Sequence, residues 1–342
     1  MKRSFVSLCC LVGLVGLVGT LWGNMKAVSA QETNNTIVSG NYEYQVIDEE
    51  TKTATLLKVK NYGEKVVLPS KIDGYKIIKI GFKLYDEDEY KAPSDGAVLS
   101  NGTDKVEEIV IPEGVVSVGD ASFMNTPGLS KIVIPKSLKE IGLDNFMQAK
   151  KIKTLNLPSQ IRIEGAFKDS VFDKVTVNGS LTGYYDDYAY GGSGMGGKVK
   201  KMLVKGSGKV EISCSANVSN LVVNKSVKEL FISSAGTIEN IEIKNKNTKL
   251  SIDDRDVIIK SGMAITFDMG KIKVNKKGNY SWKKPKVNII CKNKNYKKII
   301  TYVLKYKDRK GIWKTKKIQK NRISGLKADS SLKICARMKI KY

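Results

Sequence analysis

The residues that could do chemistry in this chain are few, because its 342 residues include no histidine. Ser-His and Cys-His nucleophile pairs and histidine-ligated metal sites are therefore excluded. Two acid pairs, Asp186/Asp187 and Asp253/Asp254, offer the carboxylates that a glycosidase needs on either side of one bond. Adjacent residues of a strand lie on opposite faces, which is poor geometry for that reaction. We predict a protein that is not an enzyme and that uses no cofactor and no metal.

A glycine-rich run over residues 191–197 has the composition of a phosphate-binding loop, with five glycines. A phosphate loop also needs a helix after the glycines and a Lys-Ser or Lys-Thr pair at its end, and this run has neither. The run is therefore only a very weak signal for a nucleotide site.

The residues just before these glycines favour binding over catalysis. Tyrosines on a loop that contains Gly and Ser offer large amphipathic contacts and have few rotatable bonds to immobilise. The candidate ligand-binding residues are Tyr184, Tyr185, Asp186, Asp187, Tyr188 and Tyr190. A surface loop without a partner is an equally good interpretation, because loops often simply vary.

The first 30 residues predict export from the cell. Lys2 and Arg3 form a charged start, an apolar run follows over 5–22, and small residues at 28–30 offer a cleavage site for signal peptidase. A membrane anchor is the alternative, since the apolar run is close to the ~20 residues that a span needs. We expect cleavage, and a secreted mature chain without a transmembrane span.

Positive charge is concentrated at the C-terminal end of the sequence. The whole chain has a net charge of +25, and residues 270–342 contain 25 Lys or Arg against only Asp308 and Asp329. Residues 31–269 contain 31 basic and 32 acidic residues, so this body is nearly neutral. Such a division predicts two parts with two roles.

The basic segment predicts an anionic partner. An anionic cell-envelope polymer is the expected one, and an anionic membrane surface would use the same electrostatics. Export makes nucleic acid an unlikely target. A lysine-rich solubilising surface is the alternative, since lysines at sheet edges also prevent edge-to-edge pairing. The candidate polyanion contacts are Lys283, Lys284, Lys297, Lys298, Arg309, Lys310, Lys316 and Lys317.

The elements that must position these residues follow an internal repeat. Ile-Pro or Leu-Pro occurs at 111–112, 134–135 and 157–158, a step of 23 residues, and Gly119, Gly142 and Gly165 keep the same step. Each unit is too small to bury its own apolar side chains, so neighbouring units must stack and share one core. We predict a β-solenoid in which the prolines end short strands and the glycines allow tight bends.

A finer pattern, apolar-x-x-apolar-x-apolar, extends the repeat further along the chain. Alternation places its last two apolar residues on the core side of a strand. We expect all of these residues, together with Phe123 and Phe146, to be structural. The pattern comprises Val106/Ile109/Ile111, Leu129/Ile132/Ile134, Ile152/Leu155/Leu157, Phe172/Val175/Val177, Val199/Met202/Val204, Val218/Leu221/Val223 and Ile238/Ile241/Ile243.

These motifs resemble a known family. The stretch VEEIVIPEGVVSVGDASFMNTPGLSKIVIPKSLKEIGLDNF looks like the BspA-type leucine-rich repeat, and NYEYQVIDEETKTATLLKVKNYGEKVVLPSKIDGYKIIKIG resembles the hairpin and first repeat that open such domains. The resemblance covers about 41–180. Over 199–268 the Pro and Gly signatures are lost, and only the repeating strand architecture is similar. It implies an extracellular or surface-attached protein used in adhesion or ligand binding.

The C-terminal residues resemble a second family. YVLKYKDRKGIWKTKKIQKNRISGLKADSSLKICARMKIKY is similar to the later strands of a fibronectin type III domain, although Leu332 stands where that family has its corner tyrosine. We therefore predict a mainly β protein, a leucine-rich-repeat solenoid followed by a small β-sandwich. Strand alternation places Cys291 and Cys335 in different environments, which favours free thiols for these two and for Cys214.

The expected domains are a signal peptide (1–30), an N-terminal β-hairpin cap (31–64), BspA-type repeats (65–182), a Tyr/Gly-rich loop (183–198), a continuing β-solenoid (199–268) and a basic β domain (270–342). The expected function is binding or adhesion at the bacterial cell surface, with an extracellular protein or glycan as the ligand. The alternative is a structural or regulatory accessory protein that binds a partner from the same cell.

Overall fold

The structure, a computed structural model, describes residues 36–83, 85–86, 89–90, 97–99, 103–147, 149–168, 170–183, 194–233, 236–253, 264–271, 287–290, 297–307, 313–318 and 333–341. Within these ranges the chain forms 28 β-strands and one short 3-10 helix, Thr103–Lys105. The mainly β fold class is confirmed.

The first strands are β1 (Ile37–Ser39), β2 (Tyr42–Asp48), β3 (Thr53–Val59), β4 (Lys65–Val67), β5 (Lys71–Ile72), β6 (Tyr75–Ile80), β7 (Tyr85–Asp86), β8 (Glu89–Tyr90), β9 (Glu108–Val110), β10 (Ser117–Val118), β11 (Lys131–Val133), β12 (Glu140–Ile141), β13 (Thr154–Leu157) and β14 (Gln160–Ile163). The later strands are β15 (Val171–Phe172), β16 (Lys174–Val177), β17 (Ser180–Thr182), β18 (Lys198–Val204), β19 (Gly208–Ile212), β20 (Asn217–Val223), β21 (Val227–Ser233), β22 (Ile238–Ile243), β23 (Lys249–Asp253), β24 (Ala264–Lys271), β25 (Val287–Ile290), β26 (Lys297–Lys307), β27 (Trp313–Ile318) and β28 (Lys333–Lys341).

Three sheets organise these strands. Sheet I has 13 strands in the order β1-β2-β3-β6-β10-β12-β14-β17-β19-β21-β23-β25, with β5 paired to β6. Sheet II has the order β4-β9-β11, and sheet III has ten strands in the order β13-β16-β18-β20-β22-β24-β28-β26-β27, with β15 paired to β18. Strands β7 and β8 form a separate antiparallel pair.

Each repeat contributes one strand to sheet I and one to sheet II or III. Glu108 lies in register with Lys131, and Ser117 with Glu140, so parallel neighbours are offset by the 23 residues of the sequence repeat. The result is a β-solenoid of about nine turns, as the pattern predicts. Stacking of this kind lets each turn bury its apolar side chains against its neighbours.

The core residues are those that the pattern predicts. Ile109 and Ile111 are buried, whereas Val110 between them is partly exposed. Every apolar position of the seven repeats is buried except Ile134, which is partly buried and packs against the core. Burial of these side chains on alternate positions of short strands is the main stabilising contribution to the fold.

Three phenylalanines stack along the solenoid where each turn bends. The ring centroids of Phe123 and Phe146 are 5.4 Å apart, and those of Phe146 and Phe167 are 5.0 Å apart, with all three rings fully buried. Phe146 and Phe167 have φ of 53° and 64°, a backbone region that L-residues rarely occupy. The tight packing of the rings holds this backbone conformation.

Glycine recurs at a constant 23-residue spacing for two physical reasons. A Cβ on Gly119 would lie 2.4 Å from the Phe82 carbonyl oxygen, so the backbone of one turn approaches that of the previous one too closely for a side chain. Gly165 has a φ of +58° and adopts the left-handed conformation that glycine tolerates. Both roles agree with the predicted tight bends.

A buried asparagine ties adjacent turns together. The side-chain amide of Asn145 donates hydrogen bonds to the carbonyl oxygens of Gly119 (2.6 Å) and Gly142 (3.0 Å). Its carbonyl oxygen accepts a hydrogen bond from the backbone N–H of Phe123 at 3.1 Å. Asn145 thus satisfies backbone groups that the bend removes from the strand ladders.

The C-terminal segment does not show the expected sandwich. Strand β25 pairs in parallel with β23 and continues sheet I, whereas β28 pairs antiparallel with β24 and is followed by β26 and β27 in sheet III. The last turn of a solenoid leaves unpaired backbone groups on its edge strands, and these C-terminal strands supply the missing partners. The fibronectin type III resemblance is therefore not shown, and the domain bounds stay predictions.

Candidate functional site

The tyrosine-containing segment begins and ends at one place on the solenoid. The candidate residues Tyr184, Tyr185, Asp186, Asp187, Tyr188 and Tyr190 lie outside the residues that the structure describes, but their flanking glycines are described. A Cβ on Gly194 would lie 3.5 Å from the Cα of Gly183 and 3.2 Å from that of Cys214. The chain therefore leaves after β17 and returns beside its point of departure, next to the buried Cys214.

Of the eight predicted polyanion contacts, four lie on described strands. Lys297 and Lys298 begin β26, and Lys316 and Lys317 lie in β27. The other four (Lys283, Lys284, Arg309 and Lys310) lie outside the described residues.

Strand register separates these lysines into two sets. Ala336 on β28 is buried and lies in register with the buried Phe267 of β24, so this row belongs to the core side of sheet III. Alternation from that row along β26 and β27 puts Lys298 and Lys316 at positions of the same face as Ala336. Lys297 and Lys317 occupy positions of the opposite face.

Several basic residues outside the predicted set of eight also occupy positions of that opposite face. Alternation from Ala336 assigns to it Lys305, Lys307, Lys333, Arg337, Lys339 and Lys341. The alternating pattern of β28 in the sequence contains this signal. The pairing of β28 with both β24 and β26 could not be derived from it, because these strands are far apart in the chain.

The charges of the solenoid itself are arranged in compensating ladders. On sheet II, Glu108 lies between Lys65 and Lys131, with nitrogen–oxygen distances of 3.3 and 3.0 Å. On sheet I, Glu229 is bound by Lys249 at 2.7 Å and by Lys209 at 3.7 Å. In each ladder a carboxylate lies between two ammonium groups and separates the like charges of neighbouring turns.

A larger ion-pair cluster crosses several turns of sheet I. Lys83 contacts Glu140 at 2.9 Å and Glu164 at 3.6 Å, and Glu164 also pairs with Arg162 at 2.6 Å. Burial opposes the charged form of Lys83, but the hydrogen bond to Glu140 and the charges of both carboxylates outweigh it and raise its pKa. Glu164 precedes Gly165 in the place that apolar Val118 and Ile141 take before Gly119 and Gly142, and these ion pairs accommodate its charge.

The ladders predict that the fold is less stable in acid. The hydrogen bond from Lys249 holds the pKa of Glu229 below its ordinary value of 4.5. Because the folded-state pKa is depressed, this contribution is complete above the unfolded-state pKa and is lost as pH falls through the folded value. We expect the urea midpoint to decline from about pH 5 downward.

The matched test is Glu229→Gln, which keeps the shape of the side chain but cannot be charged. We expect a shallower acid decline than in the unmodified chain, measured by urea unfolding at a series of pH values. Glu239→Gln, at an exposed position, is the control and should leave the decline unchanged. Superimposable curves for E229Q and the unmodified chain would contradict the role given to this ladder.

A shallow polar cleft of about 200 Å³ lies where β14, β17 and β19 begin. Its lining supplies hydroxyl and amide groups and one ammonium group, from Ser159, Gln160, Asn178, Ser180, Ser207 and Lys209. These groups can bind polar atoms. They include no carboxylate, imidazole or thiol that could transfer a proton or act as a nucleophile near neutral pH.

Across the described ranges, no cluster of three or more Cys, Asp or Glu side chains could hold a metal ion. The described part of the chain also contains no helix that is long and apolar enough to span a bilayer.

Comparisons with solved structures find leucine-rich repeat proteins. One is from Bacteroides capillosus ATCC 29799, with 19% identity over 40% of this chain and 91% of that chain and a TM-score of 0.30. Another is a leucine rich cell surface protein from Faecalibacterium prausnitzii A2-165, with 12% identity over 74% of this chain and 62% of that chain and a TM-score of 0.32. The T. pallidum leucine rich repeat protein shows 21% identity over 42% of this chain and 72% of that chain, with a TM-score of 0.30.

Among curated proteins, none shows significant similarity to the chain. The family model described as the BspA type leucine rich repeat region matches residues 100–194 in six copies. The predicted repeat type is thereby confirmed for this part of the chain.

Proposed function

We propose that the protein is a secreted or cell-surface binding protein without catalytic activity. The solenoid presents a ligand-binding surface for an extracellular protein or glycan, and the basic C-terminal segment docks to an anionic envelope polymer. The BspA-type repeat match supports a protein-interaction role at a surface. A repeat scaffold suits this role because its core is rigid and its loops can vary without changing the fold.

The observation that carries the binding proposal is the adjacency of Gly183 and Gly194. Residues 184–193 fall between β17 and β18, and both of these strands keep the parallel pairing of their neighbours. We infer that the tyrosines of this stretch supply the rigid amphipathic contacts that recognition loops use.

Excising residues 184–193 and joining Gly183 to Gly194 is expected to abolish ligand binding without unfolding the chain. Tyrosines at interfaces often contribute enough that their loss weakens binding about tenfold or more. The full mature chain and the deletion variant would be compared in pull-downs from host matrix and from the protein's own cell envelope. The thermal midpoint should stay within about 2 °C, because Gly183 and Gly194 already lie side by side and can be joined without displacing β17 or β18.

A second variant separates composition from length. Replacing Tyr184, Tyr185, Tyr188 and Tyr190 with serine keeps the loop length and should weaken capture as much as the deletion does. Lys225→Ala and Lys246→Ala, at exposed turn positions of the solenoid, are the controls. Unaltered capture by both loop variants would reject the loop as the ligand site. Capture from the protein's own envelope but not from host matrix would favour the accessory-protein alternative.

The docking proposal is supported by the division of charge, a nearly neutral body and a net +23 over residues 270–342. Deleting the segment is a poor test, because β25 and β28 are the partners of β23 and β24. Substitution of basic residues outside the described strands avoids this problem.

Replacing Lys283, Lys284, Arg309 and Lys310 with glutamine is expected to lower the salt concentration that releases the protein from cells. Binding by Lys and Arg to a polyanion weakens with salt in proportion to the number of charge contacts. Cell fractions washed at increasing salt would be compared with a variant carrying Lys225→Gln and Lys246→Gln. Retention that resists high salt in every variant would reject docking by charge.

A further inference from the structure

A row of outward-facing side chains continues the polar cleft along sheet I. Ser180, at the start of β17, lines the cleft, and its Oγ accepts a hydrogen bond from the backbone N–H of Glu211 at 3.0 Å. Glu211 lies in register with Phe231 of β21, and Phe231 with Ser251 of β23. Neighbouring strands are about 4.8 Å apart, so the row from Ser180 to Ser251 extends for about 14 Å.

The cleft offers hydrogen-bonding groups that the fold does not use. A Cβ on Gly179, which lines the cleft, would lie 1.8 Å from the Ser159 carbonyl oxygen, so no side chain fits between these two turns. Among the described residues, the side chains of Ser159, Gln160 and Ser207 make no hydrogen bond to the protein. Hydroxyl and amide groups from neighbouring turns are therefore available to a ligand.

The charges beside this row balance one another. Lys209, Glu229 and Lys249 form the adjacent ladder, and Glu211 adds a second carboxylate, which makes two ammonium and two carboxylate groups. Glu211 forms no ion pair with any residue that the structure describes, so its carboxylate can accept hydrogen bonds from a ligand. A surface without net charge favours an uncharged ligand over a polyanion.

Phe231 gives this polar surface one flat apolar group. Leu230 and Ile232 are buried, whereas Phe231 between them is partly exposed, so its ring lies on the outer face of the sheet. Among the described outward positions of sheet I from β10 to β23, it is the one aromatic residue. A single ring among hydroxyl, amide and carboxylate groups suits the C–H face of a sugar, whereas a protein interface needs a larger apolar centre.

We propose that the polar cleft and the row from Ser180 to Ser251 bind an uncharged oligosaccharide, with one sugar ring stacked on Phe231. The inference rests on the binding role proposed above: it names a glycan as the ligand and gives it a site. The amide of Gln160 supplies a donor and an acceptor to neighbouring sugar hydroxyls, and Glu211 accepts from two more. Strand β17 begins at the cleft and ends directly before Gly183, so the site and the segment 184–193 belong to the same turn.

Calorimetric titration of the full mature chain with neutral hexasaccharides tests the proposal. The probes are hexamers of glucose, mannose, galactose and N-acetylglucosamine. We expect at least one to bind, with a Kd that changes less than about twofold between about 50 and 200 mM salt, because an uncharged ligand releases no counterions. Binding to none of the four, or binding that weakens steeply with salt, would overturn the proposal.

Gln160→Ala combined with Ser207→Ala removes two groups that make no contact the fold needs. Each lost hydrogen bond should weaken binding about two- to tenfold, with the thermal midpoint unchanged. The matched control is Thr154→Ala with Asn156→Ala, which removes an exposed hydroxyl and an exposed amide from β13, in sheet III of the same turn. The control should keep full affinity, and equal losses in both double variants would overturn the site.

Phe231→Ala should weaken binding about tenfold or more, as the loss of an aromatic anchor commonly does. Phe231→Leu still covers the neighbouring side chains but has no flat ring, so it should bind about as weakly while keeping the stability of the unmodified chain. Phe231→Trp should retain binding. Full affinity of F231A and F231L would overturn the stacking.

Excision of 184–193 separates this inference from the proposed function. If the excision abolishes hexasaccharide binding and the cleft and Phe231 variants do not, the cleft is wrong and the binding role stands. If those variants lose both hexasaccharide binding and capture in the pull-downs while the excision changes neither, the loop is wrong and the cleft stands. Free hexasaccharide should compete with capture from host matrix or from the cell envelope, according to the source of the glycan, and competition with neither would overturn the proposal.

Discussion

Replacing Phe146 with alanine is expected to lower the free energy of unfolding by about 3–5 kcal/mol, because a fully buried ring would leave a cavity in the core. Phe146 is the middle ring of three, stacked on Phe123 at an interplanar angle of 22° and on Phe167 at 16°. Its loss therefore removes two ring contacts, each of which adds about 0.5–1.5 kcal/mol beyond burial.

The backbone makes this substitution a clean measurement. Phe146 has a φ of 53°, and Ala121 shows that alanine occupies the same backbone region in this chain, with a φ of 52°. Alanine and phenylalanine both carry a Cβ, so the strain of the left-handed region is similar before and after the change. The difference in stability then reports the ring and its cavity.

Urea unfolding followed by circular dichroism would measure the effect. Phe146→Leu should cost less than alanine, since it fills part of the space but cannot stack. Val67→Ala, at a position that is 58% exposed on sheet II, is the control and should change stability by less than about 0.5 kcal/mol. A cost below about 1 kcal/mol for F146A would mean that the stacked rings do not hold the turns together.

The stacked rings also show how far the sequence determines this fold. Phe123 and Phe146 keep the 23-residue step, so their place in the core follows from the period alone. Phe167 arrives two residues early and still stacks on Phe146, with a positive φ like that of Phe146. A linear pattern contains the spacing of such a residue but not the path of the bend that brings its ring onto the stack.

The ion pairs of Glu164 could not be predicted from the sequence, because one partner is distant in the chain. In the sequence it interrupts the apolar pattern, whereas in the structure it is bound by Arg162 two residues away and by Lys83 from a much earlier turn. The second partner cannot be found from the repeat. Lys83 follows β6. Its contact with Glu164 depends on how β6, β10, β12 and β14 stack in sheet I.

The C-terminal segment shows a related limit of prediction from sequence. The repeat pattern ends near residue 268 and the composition becomes basic, so a separate sandwich was the natural expectation. Alternation along β28 predicts a strand correctly, and it cannot reveal which edge that strand joins. Antiparallel pairing of β28 with β24 closes a long segment of chain, and such pairing is decided by the open edge of the solenoid.

Replacing Ala336 with aspartate is expected to destabilise the end of the solenoid by about 3–5 kcal/mol, since it places an unpaired charge in an apolar site. Ala336 is 1% exposed and lies in register with the fully buried Phe267. The row is part of the same core cluster as the preceding turns. Separation of β28 would expose the edge of β24 and favour association of chains.

The measurements are urea unfolding, size-exclusion chromatography and hydrogen exchange over 264–271 and 333–341. Arg337→Asp is the matched control, because it introduces the same carboxylate one residue further along β28, at a position of the opposite face. We expect it to reduce polyanion binding and to leave exchange near that of the unmodified chain. If A336D lost structure only within 270–342, while 264–271 stayed protected, the segment would be an independent domain. Faster exchange in both segments together follows from a shared core, in which β28 packs on β24 and caps the solenoid.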